Sequence, residues 1–134
     1  MLNSTMCGRK TLSRDIKSII EEMNIEEWQD SDLYQPRYNI SPSQYSPVII
    51  DKVVRHAKLM RWGLIPNWAT NLSIGSKLIN ARSETLLQKP SFQNLVPSRR
   101  CVVISDGYFE WKRGNSKKIP KNEKRDTHRL LPQL

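Results

Sequence analysis

Residues Arg100–Trp111 read RCVVISDGYFEW, and this stretch decides the class of fold. Its first half, Arg100–Ser105, is rich in Val and Ile, and that composition predicts a strand buried on both faces. Two further segments, Val48–Ile50 and Lys58–Trp62, also predict strands. The sequence therefore predicts a protein built mainly on β-sheet.

Two short helices are predicted beside these strands. Ser13 can cap a helix that has Asp15 in its first turn. Apolar residues recur at helical spacing after that cap, at Ile16, Ile19, Ile20 and Met23. Ser83 can cap a second helix that runs through Leu87 and ends at Pro90.

Length and composition limit the class of protein. The chain has 134 residues, 37% of them hydrophobic and 26% charged, with a mean hydropathy of −0.62. These values predict one soluble domain with a modest core. No apolar run approaches the ~20 residues of a membrane span and no signal peptide is recognisable, so we expect an intracellular protein. In a reducing compartment Cys7 and Cys101 are expected to be free thiols, with Cys101 in the core.

The net charge of +9 invites a nucleic-acid interpretation, but its distribution is uneven. The stretch Lys112–Arg129 contains eight Lys and Arg residues against Glu123 and Asp126, and so supplies +6 of that charge. The rest of the chain is only mildly basic. The stronger argument is local, because several arginines lie in or beside the motifs described below, and arginine suits forked phosphate contacts.

Cys7 follows Met6, so it becomes the first residue of the mature chain if translation starts at Met6 and the methionine is removed. Such a residue carries an α-amine and a thiol on neighbouring carbons. An aldehyde reacts with the amine to give an imine, and the thiol then closes a thiazolidine ring. Both groups ordinarily lose part of their protons near neutral pH, so we expect this chemistry to need little tuning. The alternative is that Met1–Thr5 remain and Cys7 is an ordinary internal residue.

Five motifs follow one another along the chain. They are Met6–Arg9 (MCGR), Arg37–Pro42 (RYNISP), Met60–Trp68 (MRWGLIPNW), Ile79–Thr85 (INARSET) and Arg100–Trp111. In this order and at this spacing they resemble the SRAP family, the SOS response-associated peptidase domain, from Met6 to about Ser116. The resemblance implies an α+β fold that is rich in mixed or antiparallel β-structure, with barrel-like sheets and flanking short helices.

The resemblance also implies three catalytic residues. Cys7 would be the nucleophile, through both its amine and its thiol. The Asn80 amide would orient an abasic sugar and its phosphate, and Glu110 would transfer protons during imine formation. From the residues alone, Asn80 could instead be a turn residue and Glu110 a surface carboxylate on an edge strand. A peptidase activity that releases the residues ahead of Cys7 is implied as well.

The implied partner is single-stranded DNA that contains abasic sites. The protein would bind it as a monomer in the nucleus, without a cofactor or a metal, and the spacing of His56, His128 and the two cysteines is not that of a zinc site. The implied DNA-binding residues are Arg9, Asn39, Trp62, Trp68 and Arg82. Tryptophans can stack on bases, but from the residues alone they could equally pack in the core, and the arginines could be solvated.

Three segments are predicted: a leader at 1–5, a partial SRAP domain at 6–116 and a basic, disordered tail at 117–134. After Ser116 the apolar pattern is lost, and nothing resembles the second half of the family's domain, which carries a catalytic histidine. His128 lies in a polar stretch and is not expected to replace it. We therefore expect impaired crosslinking. Two alternatives stay open: a shortened, inactive form that binds single-stranded DNA without reacting, and a small basic interaction module.

Overall fold

The computed structural model describes residues 7–51, 53–112, 119–123 and 132–133. These residues form nine strands, one α-helix and three short 3-10 helices. The strands are β1 (Lys10–Leu12), β2 (Glu27–Trp28), β3 (Arg37–Ile40), β4 (Tyr45–Ile49), β5 (His56–Arg61), β6 (Cys101–Val103), β7 (Gly107–Lys112), β8 (Ile119–Glu123) and β9 (Pro132–Gln133). The α-helix, α1, is Ile16–Met23, and the 3-10 helices are Ser31–Leu33, Leu72–Ser76 and Leu86–Gln88.

The strands form two sheets. The first has the order β3-β1-β7-β8 and is antiparallel throughout. The second has the order β2-β5-β4-β6-β9, with β2 parallel to β5 and the other pairs antiparallel. This is the mixed, β-rich α+β architecture that the sequence predicted. Across the described residues neither sheet closes into a barrel, because each ends in strands that have one neighbour.

One hydrophobic core joins both sheets to α1. Leu12 and Ile40 enter it from the first sheet, Ile49 enters from the second and Ile19 from the helix. Ile104 enters the same core where the chain passes from β6 in the second sheet to β7 in the first. The core therefore holds β1, the strand that follows Cys7, and the segment at Ile104 that leads into β7, the strand that carries Glu110.

The apolar spacing predicted α1 correctly, but the capping residue is Asp15 rather than Ser13. The Asp15 carboxylate accepts hydrogen bonds from the Ser18 main-chain N–H at 2.9 Å and from the Ser18 hydroxyl at 2.7 Å. Those bonds hold the pKa of Asp15 below its ordinary value. Ser13 lies too early in the chain to cap a helix that begins at Ile16. Its N–H and hydroxyl donate instead to the Asp106 carboxylate.

The second helix differs from the prediction in type and position. Ser83–Thr85 form a turn, and the helical residues that follow are the 3-10 helix Leu86–Gln88, whose N-cap makes no side-chain hydrogen bond. Pro90 comes too soon for an α-helix to extend beyond it. Within the described part of the chain, no helix is long and apolar enough to cross a bilayer.

Strand β6 is less buried than the sequence predicted. All three of its residues, Cys101 included, are half-buried rather than buried on both faces. The strand is short, and its outer neighbour in the sheet is the two-residue strand β9, so its cover is incomplete. Cys101 is a half-buried thiol at the border of the core, not inside it.

Two strands lie in the segment predicted to be a disordered tail. β8 pairs with β7 from Lys112↔Ile119 to Tyr108↔Glu123, and β9 pairs with β6. The prediction is therefore wrong for these two strands. A polar sequence can join a sheet because the ladder bonds come from the main chain, and β8 is an edge strand, where its proline is tolerated. The predicted leader at 1–5 and His128 lie outside the described residues.

Candidate active site

Cys7 and Asn80 are in contact, although they are 73 positions apart in the sequence. The Nδ2 group of Asn80 donates a hydrogen bond of 2.9 Å to the main-chain oxygen of Cys7. Both residues are half-buried. Asn80 lies in a loop after the 3-10 helix Leu72–Ser76, and its amide contacts Cys7 rather than the turn that begins at Ser83. The structure thus brings two of the three predicted catalytic residues together.

The thiol of Cys7 is a poorer acid than an exposed thiol. Its Sγ donates to the main-chain oxygen of Arg9 at 3.0 Å. Burial raises the pKa of the Cys7 thiol and the negative charge of Glu110 raises it further, while backbone hydrogen bonds and the charge of Lys10 act in the opposite direction. Near neutral pH the protonated thiol therefore predominates.

Glu110 lies on β7, an inner strand of the first sheet, between β1 and β8. The alternative of an edge-strand carboxylate therefore does not describe it, and its side chain is half-buried. Its negative charge acts on the Cys7 thiol. Pairing of β1 with β7 brings the two residues near each other, and the Phe109 N–H donates to the Arg9 carbonyl at 3.0 Å. Side chains alternate along a strand, so Phe109 points away from the face that Glu110 occupies.

Arg9 and Asn39, two of the predicted DNA-binding residues, form a pair at the surface. The Nη1 group of Arg9 donates to Oδ1 of Asn39 at 3.0 Å, and both side chains are exposed. Asn39 is on β3, which pairs with β1 and so lies beside the segment that carries Arg9. The sheet thus places Asn39, on the edge strand β3, in contact with Arg9, which lies two residues after Cys7.

The two tryptophans have different surroundings. Trp62 packs against the hydrophobic core, and its Nε1–H donates to the Ile79 carbonyl at 2.8 Å. Core packing therefore describes Trp62 better than base stacking, and its hydrogen bond holds the residue that precedes Asn80. Trp68 is 58% exposed, which leaves its ring available to a ligand. Only Trp68 keeps the surroundings expected of a stacking platform.

Arg82 is exposed and lies two residues after Asn80. Its side chain is accessible to a phosphate, on the same loop as the amide that contacts Cys7. Among the described residues, no three His, Cys, Asp or Glu side chains gather as a metal site requires. The site is thus assembled from a thiol, an amide, a carboxylate and exposed arginines.

Lys10 and Asp106 were not predicted from the sequence. Lys10 is buried, and its Nζ donates to the Ile104 carbonyl at 2.8 Å. The Asp106 carboxylate accepts hydrogen bonds from the Thr11 hydroxyl and from the N–H and hydroxyl of Ser13, which ties the chain before β7 to the end of β1. Lys10 alternates with Thr11 and shares a face with a core residue, and this pattern could have indicated that its side chain is buried. A three-residue strand is too short, however, for the alternation to be recognised.

A close contact between two glycines was also missed. Gly63 has a φ of 118°, and a Cβ atom there would lie 2.4 Å from the carbonyl oxygen of Gly75. The backbone can adopt this conformation and approach only because Gly63 has no side chain. The contact folds the start of the loop onto the 3-10 helix Leu72–Ser76 and so shapes the path that leads to Asn80.

Comparisons with known proteins identify relatives of this chain. The sequence model of the family SOS response associated peptidase (SRAP) matches residues 6–132, which extends past Ser116 into the segment that showed no resemblance by motif. The abasic site processing protein YoqW of Bacillus subtilis is 47% identical over 117 residues, which cover 86% of this chain and 52% of that protein. The abasic site processing protein HMCES of Xenopus tropicalis is 41% identical over 104 residues, covering 68% of this chain and 31% of that protein.

Solved structures show the same fold. The crystal structure of a protein from Bacteroides thetaiotaomicron superposes with a TM-score of 0.78 at 24% identity, covering 94% of this chain and 57% of the other. The chain spans about half the length of the Bacillus relatives that it matches. Because the family match covers nearly all of the sequence and these two relatives are 47% and 41% identical to it over the aligned residues, the chain belongs to the SRAP family.

Proposed function

We propose that this protein processes abasic sites in single-stranded DNA and that Cys7 is the residue that reacts with the lesion. Relatives at 41–47% identity are named abasic site processing proteins, which supports the substrate class. The observation that carries the proposal is the convergence on Cys7, where the Asn80 amide lies 2.9 Å from its carbonyl oxygen and the charge of Glu110 acts on its thiol. The three residues come from three separate motifs of the chain.

The proposed reaction joins the sugar to both nucleophiles of Cys7. A ring-opened abasic sugar presents an aldehyde, whose carbon is attacked by the α-amine, and loss of water gives an imine. The sulfur then bonds to the imine carbon, the electron pair of the C=N double bond moves to nitrogen, and nitrogen gains the proton that the thiol loses. One aldehyde and one aminothiol thus give one thiazolidine and one water. The DNA strand is left covalently attached to the protein.

Neighbouring side chains have distinct roles in this scheme. Glu110 carries protons between the amine, the departing water and solvent, as a half-buried carboxylate near the reacting atoms can. Asn80 fixes the main chain of Cys7 and so the direction of its amine. Because the α-amine exists only when no residue precedes Cys7, we also propose that the Cys7 thiol, assisted by Glu110, cleaves the bond after Met6 when a leader is present.

The DNA strand is proposed to follow the exposed side chains that surround Cys7. Arg9, Asn39 and Arg82 can donate hydrogen bonds to phosphate oxygens, and the Trp68 ring can stack on a base. All four side chains are exposed. Exposed arginines near a half-buried nucleophile fit a flexible single strand whose lesion reaches inward while its phosphates stay at the surface.

A denaturing gel tests the proposal. Protein whose first residue is Cys7 is mixed with a single-stranded oligonucleotide that contains one abasic site, and a band of protein plus DNA is expected. Cys7→Ala should abolish that band, because both the thiol and the ring closure are lost. Cys101→Ala is the matched control, since it removes the other cysteine of the chain and should leave the band in place.

Three results contradict the proposal in different ways. An equal covalent yield from Cys7→Ala would remove Cys7 from the reaction. Efficient crosslinking by protein that retains Met1, as shown by intact-mass spectrometry, would exclude the α-amine. Binding of the oligonucleotide in a mobility-shift assay without any covalent product would favour the alternative of a non-covalent single-stranded DNA-binding module.

A further inference from the structure

The turn that follows β3, residues 41–44, has a strained backbone. Ser43 has a φ of 75°, in the left-handed region that residues with side chains disfavour. Among the described non-glycine residues only Asn24 shares this feature, and Asn24 is the residue that ends α1. Pro42 occupies the second position of the turn and Ser43 the third, where glycine or asparagine is ordinarily found. The conformation of Ser43 therefore requires contacts that outweigh its cost.

Those contacts are made with Trp62. The Ser43 N–H donates to the Trp62 carbonyl at 2.8 Å, and the Trp62 N–H donates to the Gln44 carbonyl at 2.9 Å. Within the turn, the Gln44 N–H donates to the Ser41 carbonyl at 3.2 Å. The side chain of Gln44 is half-buried, and its Oε1 accepts a hydrogen bond of 3.0 Å from the Ser41 N–H. Gln44 thus closes the turn with its side chain and binds Trp62 with its main chain.

From Trp62 the hydrogen bonds continue to the candidate site. The Trp62 indole donates to the Ile79 carbonyl at 2.8 Å. The next residue is Asn80, whose amide donates to the carbonyl of Cys7 at 2.9 Å. The turn is therefore connected to Cys7 through two side-chain hydrogen bonds, and Asn80 is the last residue on that route.

A second route connects the same turn to Cys7 from the other side. Sγ of Cys7 donates to the Arg9 carbonyl at 3.0 Å, and the Arg9 guanidinium donates to Asn39 at 3.0 Å. Asn39 lies on β3, two residues before the turn begins. The two routes form a closed ring of contacts, and the turn 41–44 is where the strand β3 and the residues before Asn80 are joined.

We propose that Gln44 is a positioning residue for the reaction of Cys7: by closing the turn it fixes the main chain of Trp62 and so keeps the Asn80 amide against Cys7. The inference rests on the proposed function, in which Cys7 is the residue that reacts. Gln44 acts through other residues and takes no part in bond formation. Its loss should therefore slow the covalent step without weakening the binding of DNA.

The rate of the covalent step at saturating DNA tests this inference. Protein whose first residue is Cys7 is mixed with an excess of single-stranded oligonucleotide that contains one abasic site, and covalent product is followed on a denaturing gel. The dissociation constant is measured separately with an oligonucleotide that lacks the lesion. Gln44→Met removes the acceptor at similar volume and Gln44→Glu keeps an acceptor. Gln29→Met is the matched control, because it removes an exposed glutamine that donates to Glu27.

Gln44→Met is expected to slow the covalent step about fivefold, the rate equivalent of one hydrogen bond, with an unchanged dissociation constant. Gln44→Glu should restore the parent rate, and Gln29→Met should keep it. In an Asn80→Ala background Gln44→Met should cause no further slowing, since its effect passes through Asn80. A merely structural role would lower thermal stability and leave the rate of the folded protein unchanged. The parent rate in folded Gln44→Met, or the full loss on top of Asn80→Ala, overturns the inference.

A measurement without DNA separates failure of this inference from failure of the proposed function. Hydrogen exchange of the Trp62 indole N–H is followed by NMR, with the Phe109 N–H on β7 as the reference for global opening. Gln44→Met should speed exchange at Trp62 about fivefold relative to Phe109, and Gln44→Glu should not. An unchanged ratio overturns the inference even if the parent forms covalent product. A raised ratio supports the positioning, and absence of product from the parent then contradicts the proposed function alone.

Trp62→Phe gives the reciprocal measurement if Gln44→Met does not fold. Coupling between two sites is reciprocal, so loss of the indole hydrogen bond should speed exchange of the Ser41 N–H, which is bonded to Oε1 of Gln44. Exchange at Ser41 that is unchanged relative to Phe109 overturns the inference as well.

Discussion

The two parts of the candidate site are held in place by different kinds of interaction. The strand part consists of β1 and β7 with the adjoining residues Cys7, Asp106 and Glu110, and pairing of the strands fixes its geometry. The loop part is residues 62–100, which contain Asn80 and consist of turns and short 3-10 helices. A ladder distributes its hydrogen bonds over many residues, whereas a loop of this kind depends on a few individual contacts. The loop part should therefore be the more vulnerable to single substitutions.

Individual contacts can be named for the loop part. Gly63 lies against Gly75, the Leu64 N–H donates to the Leu78 carbonyl at 3.0 Å, and the Trp62 indole donates to Ile79. Each contact links the start of the loop to residues close to Asn80. The amide of Asn80 then reaches Cys7, where the two parts meet.

The largest effect is expected for Gly63→Ala. The new Cβ would lie 2.4 Å from the Gly75 carbonyl oxygen, at a φ of 118° that residues with side chains rarely adopt. Backbone strain and overpacking together should lower the free energy of unfolding by about 3–5 kcal/mol. Asn80 should lose its contact with Cys7, so covalent capture of abasic DNA should fall with stability. Urea unfolding, monitored by circular dichroism, measures the loss in free energy of unfolding.

Gly8→Ala is the matched control for that experiment. Gly8 adjoins Cys7, but a Cβ atom there meets nothing within 4 Å. Its unfolding curve should match that of the parent. If Gly63→Ala unfolds at the same urea concentration as Gly8→Ala, the loop part is not held by the glycine contact and the comparison between the two parts fails.

A smaller effect is expected in the strand part, for Asp106→Asn. The amide can replace only part of the bonding to Thr11 and Ser13, because one of its ends is a donor that faces another donor. Loss of charge-assisted hydrogen bonds of this kind from a part-buried site should lower the free energy of unfolding by about 2–3 kcal/mol. Pairing of β1 with β7 should survive, so the variant should remain folded. Asp32→Asn, an exposed carboxylate, is the control.

The difference in stability between the parent and Asp106→Asn should depend on pH in a defined direction. Burial alone would raise the pKa of Asp106, but hydrogen bonds from Thr11 and Ser13 outweigh it and hold that pKa below its ordinary value. A carboxyl group of this kind stabilises the fold above its unfolded pKa of about 3.9, and that contribution is lost as pH falls through the lower, folded pKa. The stability gap between parent and Asp106→Asn should therefore be full near neutral pH and shrink in acid. A gap that widens in acid would contradict this origin.

The two parts also differ in how much the sequence could predict. Apolar spacing identified α1, and Val- and Ile-rich runs identified β4 and β6 to within a few residues. The strand predicted at Lys58–Trp62 corresponds to β5, His56–Arg61. Those patterns report which segments carry apolar side chains, and the local sequence contains that information directly. The pairing of β8 with β7 could not be predicted in this way, because main-chain ladder bonds leave no mark on a polar sequence.

The candidate site was predictable in its members but not in its contacts. The family resemblance supplied Cys7, Asn80 and Glu110, and the structure places the second against the first and the charge of the third near the thiol. Their catalytic roles, the monomeric state and the nuclear location stay predictions. The burial of Lys10 could not be predicted, because it depends on contacts with residues that are distant in sequence. Contacts between residues far apart in the chain are set by the fold as a whole.

The smallest effect is expected for Trp62→Phe, which tests the loop part by a single hydrogen bond. Phenylalanine keeps an aromatic ring against the core but leaves the Ile79 carbonyl without the donor it has at 2.8 Å. An unmet, partly buried carbonyl should lower the free energy of unfolding by about 1–2 kcal/mol. Trp68→Phe is the matched control, because that ring is largely exposed, and its unfolding should be unchanged.

The order of the two variants should be reversed for noncovalent binding to single-stranded DNA. Trp68→Phe should weaken that binding, because a smaller ring stacks less well. Trp62→Phe should instead mainly slow the covalent step through Asn80. Equal losses of stability in the two variants would show that the Trp62 hydrogen bond does not hold the loop.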